Sequence, residues 1–228
     1  EMAIKLLEDS ADRRSLALAY VNYGRLVNRF RAFAQAEAYL QRALDLSHAL
    51  HFGFGMCASL VILAAIEMTR ENFSKAEAYC IQALALARRH QNRVGMAHIL
   101  TGFGELARQQ DDYARAETLY REAMTLAQEL TQKTRMMMLA HNLGYVALHK
   151  GDTRRAAASF KQALQLGQEL PDRENFGMCL IGLGGVSVME GKAERAARLF
   201  GAGDTELRTL GVALSPADQL EYDRYRAL

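Results

Sequence analysis

Three groups of side chains in this chain have the types and spacing to do chemistry. His98, His141 and His149 could line one surface as metal ligands. No cysteine or carboxylate completes a tetrahedral set around them at ligand spacing, so no metal is expected. Glu105 with His141 is the best acid–base pair on offer, and a poor one. No nucleophile stands with it, so neither a catalytic residue nor an enzyme activity is expected. Gly182-Leu183-Gly184-Gly185 has the glycine density of a phosphate loop. It lies inside a helical pattern, follows no strand and lacks the Gly-Lys-Ser/Thr ending, so no cofactor is expected either. What remains is recognition. Asn22 with Arg25, and Asn142 with His141 and Tyr145, offer an amide that both donates to and accepts from a peptide backbone. The Arg adds a guanidinium that clamps a carboxylate through two N–H groups.

The elements that carry these residues are helices. The chain has 228 residues but only 2 Pro, against an all-β architecture with many tight turns. Half of the residues are hydrophobic and 24% are charged, an ordinary globular balance. A net charge of +2 points to neither nucleic acid nor an anionic membrane as partner. Arg88-Arg89 and Arg154-Arg155 read as solvated faces. Cys57, Cys80 and Cys179 each sit in an apolar helical pattern and read as small core residues, not a disulfide framework. The most apolar run, Cys57 to Ile66, is half of the roughly 20 residues that cross a bilayer. The start, Glu1-Met2-Ala3-Ile4-Lys5, has no signal-peptide core. The expected localisation is cytoplasmic, and the absence of an initiator Met suggests a piece of a longer chain.

A period of 40 residues organises the sequence. Ala36, Ala76, Ala116, Ala156 and Ala196 recur without an insertion. Ala43, Ala83, Ala123, Ala163 and Gly203 follow seven residues later, with Leu40, Cys80, Tyr120, Phe160 and Phe200 between them. Gly24, Ala64, Gly104, Gly144 and Gly184 come earlier in each copy. Each copy reads as two helices. In the fourth, Thr134 to His149 and Thr153 to Gln168 carry apolar residues at helical spacing. They are separated by Lys150-Gly151-Asp152, where Gly151 suits a left-handed helix end and Asp152 a cap. The small residues let paired helices approach, and the aromatic beside them fills the gap.

Asn142-Leu143-Gly144-Tyr145, Gly151-Asp152, Ala156, Phe160 and Ala163 resemble the tetratricopeptide repeat. The resemblance spans about residues 13 to 211. It departs in its 40-residue period and in having one repeat-closing proline, Pro171, as in the longer-repeat branch of the family. The expected fold is therefore all-α: a right-handed α-α superhelix, a TPR-like solenoid of about five helix pairs. The repeats run about 13–52, 53–92, 93–132, 133–172 and 173–211. Residues 1–12 would be the end of a preceding repeat helix. Residues 212–228 would be a C-terminal capping helix, begun by Ser215-Pro216-Ala217-Asp218.

In that family the first helix of each pair lines a concave groove. By register this places Asn22, Arg25 and Arg29, then the apolar Ala58, Val61 and Ile62, then His98, Glu105 and Arg108, then His141, Asn142, Tyr145 and His149 on the partner-binding side. The implied function is binding of a peptide, a protein partner or a small effector, with self-association left open by the apolar stretches.

A narrower resemblance begins at Gly182-Leu183-Gly184-Gly185-Val186. It continues through Ala196-Ala197-Arg198-Leu199-Phe200-Gly201-Ala202, Leu210-Gly211 and Ser215-Pro216-Ala217-Asp218 to Glu221-Tyr222. This run is similar to the C-terminal repeat region of large bacterial ATP-dependent transcriptional regulators of the maltose-activator and LuxR type. It implies a sensor or interaction segment whose ATPase and DNA-binding modules lie outside these residues. The alternative is a stand-alone scaffold or chaperone-like adaptor without a signalling role.

Overall fold

The computed structural model describes residues 2–168 and 174–228, so Pro171 and the expected 172/173 repeat boundary lie outside the described residues. Within them the chain is all-helical and folds as a TPR-like solenoid. In chain order come α1 (Met2–Glu8), α2 (Arg13–Arg29), α3 (Phe33–Ala49), α4 (Gly53–Thr69), α5 (Phe73–Arg89), α6 (Arg93–Gln109), α7 (Tyr113–Glu129), α8 (Lys133–His149), α9 (Thr153–Gln168), α10 (Glu174–Met189), α11 (Ala193–Leu210) and α12 (Pro216–Arg226). The chain divides into two compact units, residues 1–106 and 107–228, with the boundary in the last turn of α6.

The 40-residue period is a 20-residue period in backbone geometry. Arg31, His51, Glu71, Gln91, Asp111, Thr131, Gly151, Gly191 and Gly211 all have positive φ, each just past a helix end. At Gly151 the pattern is a Schellman ending. The Gly151 N–H donates to the Leu148 carbonyl at 3.0 Å and the Asp152 N–H to the Ala147 carbonyl at 2.9 Å. Asp152 then caps the next helix, its Oδ1 accepting from the Arg155 N–H at 2.9 Å. Thr131 makes the same turn at φ 52°, where a β-branched side chain crowds the backbone. Thr131→Gly therefore raises stability by about 1 kcal/mol, net of the entropy that glycine returns to the unfolded chain. A urea midpoint that stays put or falls would contradict the left-handed turn at this position.

In unit 1, helix pairs α2–α3 and α4–α5 pack around Leu16, Tyr20, Leu40, Ile62, Leu63 and Ile66. Ala36, Ala43, Ala76 and Ala83, read from the repeat, are fully buried. In unit 2, pairs α8–α9 and α10–α11 pack around Phe160, Phe200, Tyr145 and Ile181. A methyl on Gly144 would lie 2.7 Å from the Phe160 ring, and one on Gly182 2.3 Å from it. The absent side chains on α8 and α10 are what admit the ring. All three cysteines are free and buried. Among the described residues no helix is long and apolar enough to cross a membrane.

Candidate functional site

Both units present the faces of their first helices, and the two faces are in different states. In unit 1 that face is open. Asn22, Arg25 and Arg29 on α2 and His98 on α6 are exposed, and Glu105 on α6 is half-buried. Helices α2, α4 and α6 line a half-open pocket of about 170 Å³. Arg25 and His98 stand at it, Ala58, Val61 and Ile62 of α4 form its apolar wall, and Asn92 contributes an amide. Phe54 and Val94 at the same pocket are about half exposed, at 55% and 48%. Apolar cavities of ~150 Å³ accept a benzene ring, so this pocket has room for one aromatic or branched side chain. Arg25 has no ion pair among the described residues. The sequence register thus brings Arg25, His98 and the apolar residues of the second repeat to one place.

In unit 2 the corresponding face is occupied by the chain's own α12. Ser215 caps this helix, its Oγ accepting from the Asp218 N–H at 3.2 Å and donating to Asp218 Oδ2 at 2.8 Å. The other carboxylate oxygen of Asp218 accepts from Arg108 Nη2 at 2.7 Å and lies 3.3 Å from His141 Nε2. Arg108 is 1% exposed and His141 4%. The guanidinium also sits 5.1 Å from the centre of the Tyr145 ring, in cation–π contact. One turn further along α12, Glu221 is fully buried, with Oε1 3.1 Å from the Tyr113 hydroxyl. Arg224 donates to that hydroxyl at 2.7 Å and to Asp111 Oδ1 at 3.1 Å.

These placements correct the reading of the third and fourth repeats. Arg108, His141, Asn142 and Tyr145 are not open groove residues; all four are buried in the folded chain. Arg108 and His141 bind Asp218, and Tyr145 shares a core cluster with Tyr222 and Tyr225 of α12. The carboxylate at His141 is Asp218 of α12, 77 residues away. His149 is exposed but stacked on Tyr113, ring centres 3.4 Å apart. Its Nδ1 lies 3.2 Å from Arg224 Nη1. The capping helix reaches past the last helix pair to residues of α6, α7 and α8. The sequence shows that Asp218 and Glu221, three apart, share a helix face, but not which helices that face meets.

Electrostatics follow the geometry. Burial works against a charged His141, but the Asp218 carboxylate outweighs it and holds the imidazolium pKa up at about 9. Burial likewise works to raise Asp218, and Arg108 with His141 pull it far below the usual carboxylate range. Burial pushes Glu221 upward, against Arg108 and Arg224. Burial and then the Arg224 charge lower His149, which fits an unprotonated Nδ1 accepting from Arg224. Because the folded pKa of His141 lies above its unfolded value of about 6.5, its stabilisation is complete below that pH and is lost as pH rises through about 9. Stability is expected to fall by on the order of 1–3 kcal/mol between pH 7 and pH 10. Urea titrations at the two pH values check this, and His141→Gln should remove the dependence. An equal fall in the variant would assign it to other groups.

A larger cleft of about 520 Å³ runs between α11 and α12, past Ala196, Phe200 and Tyr222. Its charged residues are already engaged: Asp204 accepts from the Tyr222 hydroxyl at 2.8 Å, and Arg226 donates to that same oxygen at 3.0 Å. It offers a ligand less free chemistry than the pocket at Arg25.

Residues 55–129 and 139–174 match the tetratricopeptide repeat family, so the chain carries such repeats over these segments. No curated protein matches the chain significantly. Among solved structures, it is similar to BtubC (BKLC) from P. vanneervenii at 20% identity and a TM-score of 0.74, over 92% of this chain and 87% of that one. It is similar to PilF of Pseudomonas aeruginosa at 19% identity and a TM-score of 0.65, over 93% and 90% of the two chains. It is also similar to the MamA protein, at 14% identity and a TM-score of 0.53, over 88% and 98%. At these identities the likeness is one of fold.

Proposed function

We propose that this chain is a protein-interaction solenoid that captures a peptide segment of a partner on the open first-helix face of unit 1. The observation that carries this reading is the pocket in which Arg25, with no ion pair among the described residues, stands beside the apolar wall of Ala58, Val61 and Ile62. A segment with one aromatic or branched apolar side chain and a nearby carboxylate fits it. The apolar group fills about 170 Å³ and the carboxylate pairs with the guanidinium. Asn22 and Asn92 supply amides for the peptide backbone.

Panning a random peptide library against the full chain tests this. Enriched peptides should combine an apolar anchor with an acidic residue. They should lose about tenfold or more in affinity to Arg25→Ala, and again to Val61→Trp, which fills the pocket. Enriched peptides that bind both variants as well as the parent would place the site elsewhere.

The wider setting we propose is the interaction segment of a larger ATP-dependent transcriptional regulator. Its support is the run from Gly182 to Tyr222 that resembles the repeat region of such proteins. A Gly-x-x-x-x-Gly-Lys-Ser/Thr loop in the reading frame beside these residues would agree with it. A frame holding only further repeats would favour a stand-alone adaptor.

A further inference from the structure

We propose that unit 2 holds a second protein-binding face, which takes a partner helix of the pattern Asp-x-x-Glu-x-x-Arg, and that α12 is a tethered, exchangeable occupant of it. The composition of α12 is the first ground. It spans eleven residues, and it buries the carboxylates of Asp218 and Glu221 alongside Ala217, Tyr222 and Tyr225, while Leu220 remains 43% exposed. Buried charge is tolerated only where it is paired, so Arg108 and His141 make this face selective for a helix that brings a carboxylate.

The receiving face is the second ground. Arg108, which holds Asp218 through Nη2, has its Nε and Nη1 buried without a hydrogen-bond partner among the described residues. Buried donors left unmatched are costly, so α12 is an imperfect ligand for this face. A helix of the same acidic pattern that also reaches these donors outcompetes it.

The tether is the third ground. Gly211 ends α11 in the left-handed conformation, and residues 212–215 have no regular structure. Rotation within this short link lets α12 leave, at the cost of the contact between Tyr222 and Phe200 and of the packing of Val212 and Leu214 on the unit 2 cluster. A tether this short presents α12 at an effective concentration in the millimolar range. For a helix whose own affinity is ~10–100 μM, the face is then closed in about 90–99% of molecules, and a competitor in solution is weakened ~10–100-fold.

The probe is a fluorescein-labelled synthetic peptide of residues 212–228, titrated into the full chain and followed by anisotropy. The parent chain should bind it weakly. The chain carrying D218N and E221Q, whose own α12 is loosened while Arg108 and His141 remain, should bind it about 10–100-fold more tightly. Adding Arg108→Met to that chain should abolish binding. Equal affinities for the parent and the loosened chain would overturn the proposal. So would no binding by a loosened chain whose circular dichroism is unchanged. If the loosened chain does not fold, a protease site inserted at residues 212–214 of the otherwise unaltered chain decides the matter. After cleavage of the folded protein, excess peptide should displace the nicked α12 in gel filtration. A nicked segment that stays bound through that competition would show α12 to be a permanent part of the core.

Discussion

Asp218→Asn lowers the stability of unit 2 by about 3–5 kcal/mol if α12 stays in place, the largest effect expected of any single polar substitution in this chain. The carboxylate lies 2.7 Å from Arg108 Nη2 and 3.3 Å from His141 Nε2, in a site from which water is almost excluded. Removing its charge leaves a guanidinium with no anion in contact and an imidazolium that gives up its proton. The chain can reduce that cost by releasing α12 and letting water reach Arg108. The first sign should therefore be loss of hydrogen-exchange protection in Pro216–Arg226, ahead of the helices beneath. The His141 pKa should fall at the same time, because burial then acts on it without Asp218. An α12 as protected in the variant as in the parent, with an unchanged urea midpoint, would mean that the pair contributes nothing net.

Phe160→Ala should cost about 3–5 kcal/mol by a different route. The ring is fully buried on α9 and stands edge-on to Tyr145 and His141, with centres 5.1 and 5.7 Å apart. It also occupies the space beside Gly144 on α8 and Gly182 on α10. Its loss opens a cavity where three helices meet, and backbone movement closes such a cavity only in part. The two sites should couple. Gly182→Ala in the parent overpacks against a ring 2.3 Å from the new methyl, whereas in the Phe160→Ala chain that methyl fills vacated space. A double-mutant cycle in urea measures this. Additive effects would mean that the ring and the glycine do not share a cavity.

How far the site was legible differs between the two units. Register alone places Asn22, Arg25, Arg29 and His98 on one series of helices, and all four are exposed there. The pocket wall of Ala58, Val61 and Ile62 could be read the same way, because helical periodicity sets which residues share a face. The same logic applied to Arg108, His141, Asn142 and Tyr145 identifies their face but not its occupant. Asp218 reaches Arg108 across 110 residues of sequence. No periodicity encodes that pairing, since it depends on where a short helix comes to rest after a turn at Gly211.

The sequence by itself determined the local and repeating features. The columns of Ala36, Ala116 and Ala156 are fully buried, Gly151 takes φ +76°, Asp152 caps α9, and Ser215 caps α12. These follow from interactions within a few residues, or from one contact repeated at a fixed spacing, and a period carries that information in the residues themselves. Tertiary structure decided which face stays open and which is filled. The +2 chain carries nearly balanced charges throughout, so composition does not distinguish Arg25, exposed and without an ion pair among the described residues, from Arg108, buried against Asp218. The difference arises when a buried charge must find its opposite or forgo burial, and only the folded chain brings α12 close enough to supply one.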